Sequence, residues 1–337
     1  MNCKLSLSEL GERALSFDNV LIVAHIDPDP DTLGSALGLK KIFEKLGKVA
    51  HVACGTEASV RICGFFGVSP GLDSARIEKD GFVPERIICV DAAAPSQIGK
   101  YEKYCSEDIS KNKIDLVIDH HCTNSFYGKE NYVDDKAAAT GEIIFELAEL
   151  CGIEMEPDLA KDLYLSIIDD SGSFRYSSTT PKTLEIASKL MASGFDFAKL
   201  NRLVFQTKTK TQIAMERLAY NCLKFFCGGR VSIVTITNEI KKAAGLEGAE
   251  IEGINEIAKS VEGVEVGAVI KEVDPPDESK GREFKISLRS NEYVNVAKIA
   301  ERYGGGGHVR AAGCKTGGYS EAEDLEMELV KRIAEAL

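Results

Sequence analysis

Strand-length apolar runs alternate with longer segments of helical periodicity from about residue 19 to residue 190. The runs predict β-strands at Asn19–Val23, Val49–Ala53, Arg86–Val90 and Leu116–Ile118. The longer segments predict helices at Gly34–Leu46, Gly141–Cys151 and Leu159–Ile168. This alternation is typical of an α/β fold in which helices cover a mainly parallel sheet. Ligands of such sheets bind beyond the carboxyl ends of the strands.

The pattern changes after residue 195. Leu200–Leu223 is polar and free of proline and glycine, which predicts a helix that bridges two domains. Further elements predict a smaller α/β domain: strands at Arg230–Ile236, Val264–Val269 and Phe284–Leu288, a polar turn at Glu272–Arg282, and helices at Val294–Tyr303 and from about Ser320. We therefore expect an N-terminal domain at residues 1–195, a helical linker at 196–228 and a second domain at 229–337.

Composition and charge narrow the class of protein. The 337 residues are 44% hydrophobic and 28% charged, and no apolar stretch is long enough to span a membrane, so we expect a soluble, cytoplasmic protein with no membrane partner. The N-terminal segment lacks the features of a secretory signal. The net charge of -12 argues against binding to long duplex nucleic acid. The ten cysteines are scattered without a CxxC pair, which favours free thiols over a zinc site or disulfides.

Acidic and imidazole side chains recur where the predicted strands end. Three of them follow the first strand, one follows the third, three follow the fourth, and one ends a helix; they are His25, Asp29, Asp31, Asp91, Asp119, His120, His121 and Asp170. A single carboxylate in such a place is commonly a helix cap or a turn residue. Because a parallel sheet brings these groups to one edge, their mutual repulsion would destabilise the fold unless a cation compensates it.

The types of side chain narrow the cation. Carboxylates with imidazoles and without thiolates suit Mn²⁺, or Mg²⁺ in its place, and do not suit a structural zinc site. The number of candidate ligands also exceeds what one octahedral ion needs once water and substrate are counted. We therefore expect two divalent metal ions, which is the arrangement used for in-line displacement at phosphorus.

Five motifs carry the candidate residues: HIDPDPDTLGS at 25–35, a lone Asp91 after IICV, IDHH at 118–121, DDSGSF at 169–174 and GGGGHVRAAG at 304–313. In this order they resemble the DHH phosphoesterase superfamily with its associated C-terminal domain. Among its branches the chain is most similar to the short two-domain proteins of the nanoRNase/pAp phosphatase type. The resemblance covers almost the whole chain, and residues 1–195 would be its catalytic domain.

The resemblance implies a role for each group. One metal would be bound by His25, Asp29 and Asp91, and the other by Asp31, Asp91, His120 and Asp170. Asp119 would orient His120, and His121 would face the substrate phosphate. Asp27 lies outside both implied ligand sets.

The glycine-rich motif is a candidate substrate site in the second domain. Its glycines, among them Gly305 and Gly306, allow a close approach of the backbone to an anion, and His308 and Arg310 add donors suited to a phosphate. Arg289 and Ser290 end a predicted strand and are candidate partners of this loop. The alternatives are a flexible loop at 304–307 and a solvated strand-end charge at Arg289.

The expected function is that of an Mn²⁺-dependent phosphoesterase. A hydroxide between the metals would attack phosphorus in a short oligonucleotide, in 3′-phosphoadenosine 5′-phosphate (pAp), or in a linear or cyclic dinucleotide. The alternatives are a RecJ-like single-strand exonuclease, a pyrophosphatase, an exopolyphosphatase, and a metal-bound binding module without catalysis. The partner is therefore expected to be a small nucleotide or a short oligonucleotide, and a homodimer is left open.

Overall fold

Two units make up the chain, Met1–Gln206 and Thr207–Leu337. A computed structural model describes residues 3–73, 81–249, 253–273 and 282–337. None of the helices within these ranges is long and apolar enough to cross a bilayer. The cysteines whose side chains are described are free thiols, and Cys54, Cys63 and Cys89 are buried.

The first unit contains a parallel sheet of six strands, which confirms the predicted α/β class. The spatial order is β1-β6-β5-β4-β2-β3. The strands are β1 Cys3–Lys4, β2 Val20–Ala24, β3 Ala50–Cys54, β4 Arg86–Val90, β5 Leu116–Asp119 and β6 Glu130–Val133. The apolar runs predicted β2 to β5 because these strands are buried on both faces. Strands β1 and β6 lie on one side of the sheet and are too short and too polar for that signal.

Helices cover this sheet. They are α1 Leu7–Ser16, α2 Pro30–Lys45, α3 Val60–Phe66, α4 Thr140–Leu150, α5 Pro157–Asp170, α6 Pro181–Ala192 and α7 Phe197–Asn201, with a 3-10 segment at Pro95–Tyr104 and a π turn at Arg202–Gln206. Helix α2 begins four residues before its predicted start at Gly34. Asp29 caps it by accepting a hydrogen bond from the backbone N–H of Thr32 at 2.9 Å, and Pro30 occupies the first turn.

Small residues bring three helices close together beneath the carboxyl edge of the sheet. A Cβ atom on Gly34 of α2 would lie 2.5 Å from the carbonyl oxygen of Asp162 in α5. A Cβ atom on Gly141 of α4 would collide with the hydroxyl of Ser166 in α5. Since neither position has room for a methyl group, α2 and α4 each approach α5 closely at these glycines.

The second unit contains a mixed sheet in the order β11-β12-β10-β9-β8-β7, with β8 and β9 parallel and the other pairs antiparallel. Its strands are β7 Leu223–Phe226, β8 Val231–Ile236, β9 Val266–Val273, β10 Glu283–Ser290, β11 Gly306–His308 and β12 Ala311–Gly317. Its helices are α8 Lys210–Asn221, α9 Asn238–Ala243, α10 Asn255–Lys259, α11 Val296–Glu301 and α12 Ala322–Ala334, with a 3-10 turn at Cys227–Gly229. Most of the predicted polar turn between β9 and β10 lies outside the described residues.

The continuous helix predicted at Leu200–Leu223 is wrong. Helix α7 ends at Asn201, a π turn follows, and α8 starts afresh at Lys210. Thr209 caps α8 by accepting from the backbone N–H of Gln212 at 3.0 Å, and the Gln212 side chain accepts in return from the backbone N–H of Thr209. This capping box fixes a helix start inside the polar segment. The domain limits predicted around it stay predictions.

Candidate metal centre

The candidate ligands lie at the carboxyl edge of the parallel sheet. His25 directly follows β2, and Asp29 and Asp31 occupy the cap and first turn of α2. Asp91 directly follows β4, Asp119 ends β5 ahead of His120 and His121, and Asp170 ends α5. Segments far apart in sequence therefore meet at one edge because the strands that carry them are parallel.

Within this edge the ligand atoms fall into groups in which every atom is within 4.8 Å of the others. Three of these groups are His25, Asp29 and Asp91; Asp31, His120 and Asp170; and Asp91, His120 and His121. Nε2 of His25 lies 3.7 Å from Oδ2 of Asp91, and Nε2 of His120 lies 3.6 Å from Oδ1 of the same carboxylate. Asp91 is therefore the carboxylate that both imidazoles approach.

Asp91 is held in place by its backbone and by two hydroxyls. Its φ of 55° lies in the left-handed region, which is uncommon for a residue with a side chain and recurs at functional sites. Thr32 Oγ1 donates to Oδ2 at 2.6 Å and Thr140 Oγ1 donates to Oδ1 at 2.9 Å. The carboxylate is 2% exposed. The two hydroxyls fix the direction in which its remaining lone pairs point.

Asp31 is held from a different direction. Its Oδ2 accepts from the backbone N–H of Thr140 at 2.9 Å, and its Oδ1 accepts from the backbone N–H of Gly141 at 3.2 Å, from the hydroxyl of Ser35 at 3.0 Å and from that of Ser166. Helix α4 has no side-chain cap, so this carboxylate satisfies its first N–H groups. The supporting residues Thr140 and Ser166 were not predicted from the sequence. The signal that could have indicated them is the alanine at the N-cap of α4, because it leaves the first N–H groups of that helix in need of an acceptor from another segment.

Asp119 differs from its implied role. Its Oδ1 lies 2.7 Å from Nδ1 of His121 and its Oδ2 accepts from Asn124 Nδ2 at 2.6 Å, whereas Nδ1 of His120 lies 3.2 Å from the carbonyl oxygen of Ala137. The imidazole that Asp119 orients is therefore that of His121.

Burial controls the protonation of these groups. Burial, followed by the charge of Asp91, raises the pKa of Asp31 to about 7. Burial, followed by the charge of Asp29, raises the pKa of Asp91 to about 6, and burial raises the pKa of Asp170 to about 6. Burial lowers the pKa of His25, but Asp29 and Asp91 outweigh it and raise that pKa to about 10. Burial and neighbouring charges together produce these shifts, and a bound cation would favour the ionised carboxylates and the neutral imidazole.

The donor set fits a divalent cation. Nε2 of His120 is buried without a hydrogen-bond partner, although it lies 3.0 Å from Oδ2 of Asp170 and 3.6 Å from Oδ2 of Asp31. Within the described ranges, no lysine or arginine forms an ion pair with Asp29, Asp31, Asp91 or Asp170. Clustered carboxylates and imidazoles are ligands of ions such as Mn²⁺ and Mg²⁺. These residues are therefore able to hold a metal ion.

Comparison with known proteins identifies the family. The model of the DHH family, N-terminal domain, matches residues 19–167, and that of the DHHA1 domain matches residues 228–337. A Streptococcus mutans protein named "Probable bifunctional oligoribonuclease and PAP phosphatase NrnA" is 30% identical over 318 residues, with 93% of this chain and 94% of the relative covered. The chain belongs to the DHH family. Its membership confirms the expectation of a hydrolase that cleaves phosphoester bonds.

Two further similar proteins extend the comparison. The "Bifunctional oligoribonuclease and PAP phosphatase NrnA" of Thermus thermophilus is 29% identical over 321 residues, with 94% of this chain and 89% of the relative covered. The crystal structure of an exopolyphosphatase-related protein from Bacteroides fragilis superposes with a TM-score of 0.82 at 22% identity, covering 98% of this chain and 95% of that chain. The latter similarity establishes a shared fold.

The DHHA1 domain contains the predicted substrate-binding residues. In the β10–β12 register Arg289 lies opposite Ala311, the neighbour of Arg310. Arg310 Nη1 donates to the carbonyl oxygen of Val294 at 3.1 Å. Ser290 is 5% exposed, and its hydroxyl donates to the same carbonyl oxygen at 2.7 Å, so it anchors the loop. Arg289 is the penultimate residue of β10 and Arg310 directly precedes β12, and these two arginines are the cationic candidates of this group.

The glycine motif of the DHHA1 domain is partly a strand. Gly306–His308 forms β11 and pairs with β12; the side chain of His308 is outside what the structure describes. Cβ atoms on Gly305 and Gly307 would collide with the backbone of β12, so packing alone requires glycine at both positions. A Cβ atom on Gly306 would meet nothing within 4 Å. Gly306 is thus the glycine of this strand that faces open space.

Proposed function

We propose that this DHH protein is an Mn²⁺-dependent phosphoesterase that hydrolyses short oligonucleotides, pAp or dinucleotides with two divalent metal ions. The observation that carries the proposal is the pair of ligand groups on either side of Asp91, each completed by one imidazole. Two curated relatives covered over nearly their whole length are named as oligoribonucleases and PAP phosphatases, which supports the substrate class. The net charge of -12 favours a small substrate over a long nucleic acid.

In this proposal His25, Asp29 and Asp91 hold one ion, and Asp31, Asp91, His120 and Asp170 hold the other. The bound ions would lower the pKa of a water molecule and neutralise negative charge at phosphorus. The hydroxyls of Thr32 and Thr140 keep both oxygens of Asp91 directed, which is a prerequisite for a shared ligand.

His121 is the proposed donor to the substrate. Burial lowers the pKa of its imidazole, but the hydrogen bond to Asp119 and the charge of Asp91 raise it overall, which favours the protonated ring. With Nδ1 held by Asp119, the ring is oriented for its proposed task, which is to hydrogen-bond a phosphate oxygen or to give a proton to the leaving oxygen. Asn124 donates to the other oxygen of Asp119 and so fixes the orientation of the carboxylate that contacts His121.

The DHHA1 domain is proposed to contribute to binding of the substrate. Arg289 and Arg310 would contact its phosphate or terminal nucleotide, and Gly306 would let the backbone approach it. His308 is proposed as a further donor.

Initial rates with Mn²⁺ on a trinucleotide, pAp, a cyclic dinucleotide, a long single strand and pyrophosphate test the proposal. We expect the trinucleotide or pAp to be preferred, with activity lost in chelator and in Asp91→Asn but kept in Asp27→Asn. Asp27 is exposed and belongs to none of the ligand groups, so this control makes the same change of charge nearby. A preference for pyrophosphate or for the long strand, or full activity in Asp91→Asn, would contradict the proposal.

A further inference from the structure

Asp169 was given no role in the sequence analysis, yet it lies at the metal centre. It directly precedes Asp170 in the last turn of α5. Its carboxylate forms a fourth group with those of Asp29 and Asp170, with one oxygen of each within 4.8 Å of the others. This group joins Asp29, from the His25 side of the centre, to Asp170, from the His120 side.

The position of Asp169 is electrostatically unfavourable within the protein alone. The C-terminal turn of a helix carries a partial negative charge that favours cations and disfavours carboxylates. Helix α5 ends on two aspartates and has no basic residue in its last turn. Over the described parts of the chain, no hydrogen bond or ion pair reaches the Asp169 carboxylate. Its charge is thus left without compensation from a protein donor.

A second observation at the same place points to a cation. His120 is about nine-tenths buried, and its Nε2 has no hydrogen-bond partner while it faces Oδ2 of Asp170 at 3.0 Å. A buried ring nitrogen directed at the carboxylate group that includes Asp170 is the arrangement of a ligand atom rather than of a surface histidine. Carboxylates brought this close are stabilised by a divalent ion.

We infer that Asp169 is a metal-binding residue that supplies a further carboxylate to the centre, beside Asp29, a proposed ligand of one ion, and Asp170, a proposed ligand of the other. The inference rests on the proposed metal centre and adds to it a carboxylate that lies outside the two ligand sets of that proposal. It assigns the two aspartates of the DDSGSF motif, which are the last two residues of α5, to metal binding.

The test measures Mn²⁺ binding to the full chain after treatment with chelator, by isothermal calorimetry and by the electron paramagnetic resonance signal of free Mn²⁺. The variants are Asp169→Asn, Asp169→Glu and the control Asp27→Asn, which changes the net charge by the same amount. Asp27 has φ 49°, a conformation that asparagine tolerates, so the control preserves its loop.

Asp169→Asn is expected to weaken Mn²⁺ binding at least about tenfold, with Asp169→Glu and Asp27→Asn close to the unaltered protein. Thermal unfolding adds a readout that a merely structural role would not give. Without metal, Asp169→Asn should melt at the same temperature or higher, because like-charge repulsion is relieved. With Mn²⁺, its melting temperature should rise less than that of the unaltered protein.

Unchanged Mn²⁺ affinity in Asp169→Asn would overturn the inference, as would an equal loss in Asp27→Asn. Asp91→Asn separates this failure from failure of the proposed function. If Asp91→Asn loses Mn²⁺ binding while Asp169→Asn keeps it, the proposed metal centre is retained and only the role of Asp169 is refuted. If the unaltered protein binds no Mn²⁺, the proposed metal centre and the role of Asp169 are both refuted.

Discussion

Replacing Thr140 by valine tests how the centre holds its shared carboxylate. Valine keeps the shape of threonine and the backbone N–H that reaches Asp31, but it removes the hydroxyl that donates to Asp91 at 2.9 Å. Thr140 is 0% exposed and Asp91 is 2% exposed, so water cannot replace the lost donor without opening the site. The perturbation is therefore confined to one oxygen of one ligand.

The structure sets the size of the effect. Loss of a hydrogen-bonding partner behind a metal ligand typically weakens metal binding by about 10- to 100-fold. Asp91 keeps its second donor, Thr32 at 2.6 Å, so we take the lower half of that range. Mn²⁺ binding should therefore weaken by roughly 10- to 30-fold, which corresponds to about 1.4–2 kcal/mol. The apparent Mn²⁺ requirement for activity should rise by a similar factor.

Calorimetric titration with Mn²⁺ and the dependence of the initial rate on Mn²⁺ concentration measure this effect. Thr140→Ser retains the hydroxyl and should restore most of the affinity. Thr179→Val is a matched control, because the Thr179 hydroxyl is buried and has no hydrogen-bond partner. Unaltered Mn²⁺ affinity in Thr140→Val, or an equal loss in Thr140→Ser, would refute the reasoning.

Three further predictions concern packing, substrate binding and pH. Gly34→Ala should lower the free energy of unfolding in urea by about 1–3 kcal/mol, whereas Gly64→Ala, which adds its methyl group to open space within α3, should not. An equal change of the free energy of unfolding in the two variants would contradict the close packing of α2 on α5. Gly306→Ala should raise KM and leave the melting temperature unchanged, whereas Gly305→Ala should lower the melting temperature; an unchanged KM would remove Gly306 from the substrate site. Burial raises the pKa of Asp73, but its ion pair with a lysine outweighs this effect and lowers that pKa overall. The stabilisation by this ion pair is therefore present above about pH 4 and is lost as pH falls through the folded pKa. Asp73→Asn should accordingly lower the free energy of unfolding at pH 6 and not at the acid end.

The strands that carry the ligands were predictable from the sequence. Four apolar runs matched β2 to β5 to within a residue at each end, because strands buried on both faces have no polar positions to blur their limits. Once the sheet is parallel, the residues just after those strands must share an edge. Both the α/β class and the gathering of Asp91 with His120 follow from that one step.

The supporting contacts were not predictable in the same way. Ser166 and Thr140 reach Asp31 only because α2, α4 and α5 approach one another closely, and no periodicity in the sequence encodes that approach. The pairing of Asp119 with His121 was not predicted, because the resemblance to the family pointed to His120 and the chain leaves β5 at Asp119. The start of a new helix at Lys210 depends on a capping box, and this box was missed because its residues resemble the polar residues around them.

The ligands of the centre come from four stretches of chain that are separated by whole strands and helices. No single segment contains a complete group, so an unfolded or partly folded first unit has almost no affinity for the ion. Metal binding and cooperative folding of that unit are thus thermodynamically linked. A bound ion would act as a crosslink between these stretches, and a destabilising change anywhere in the first unit should then be measured as a weaker apparent affinity for metal.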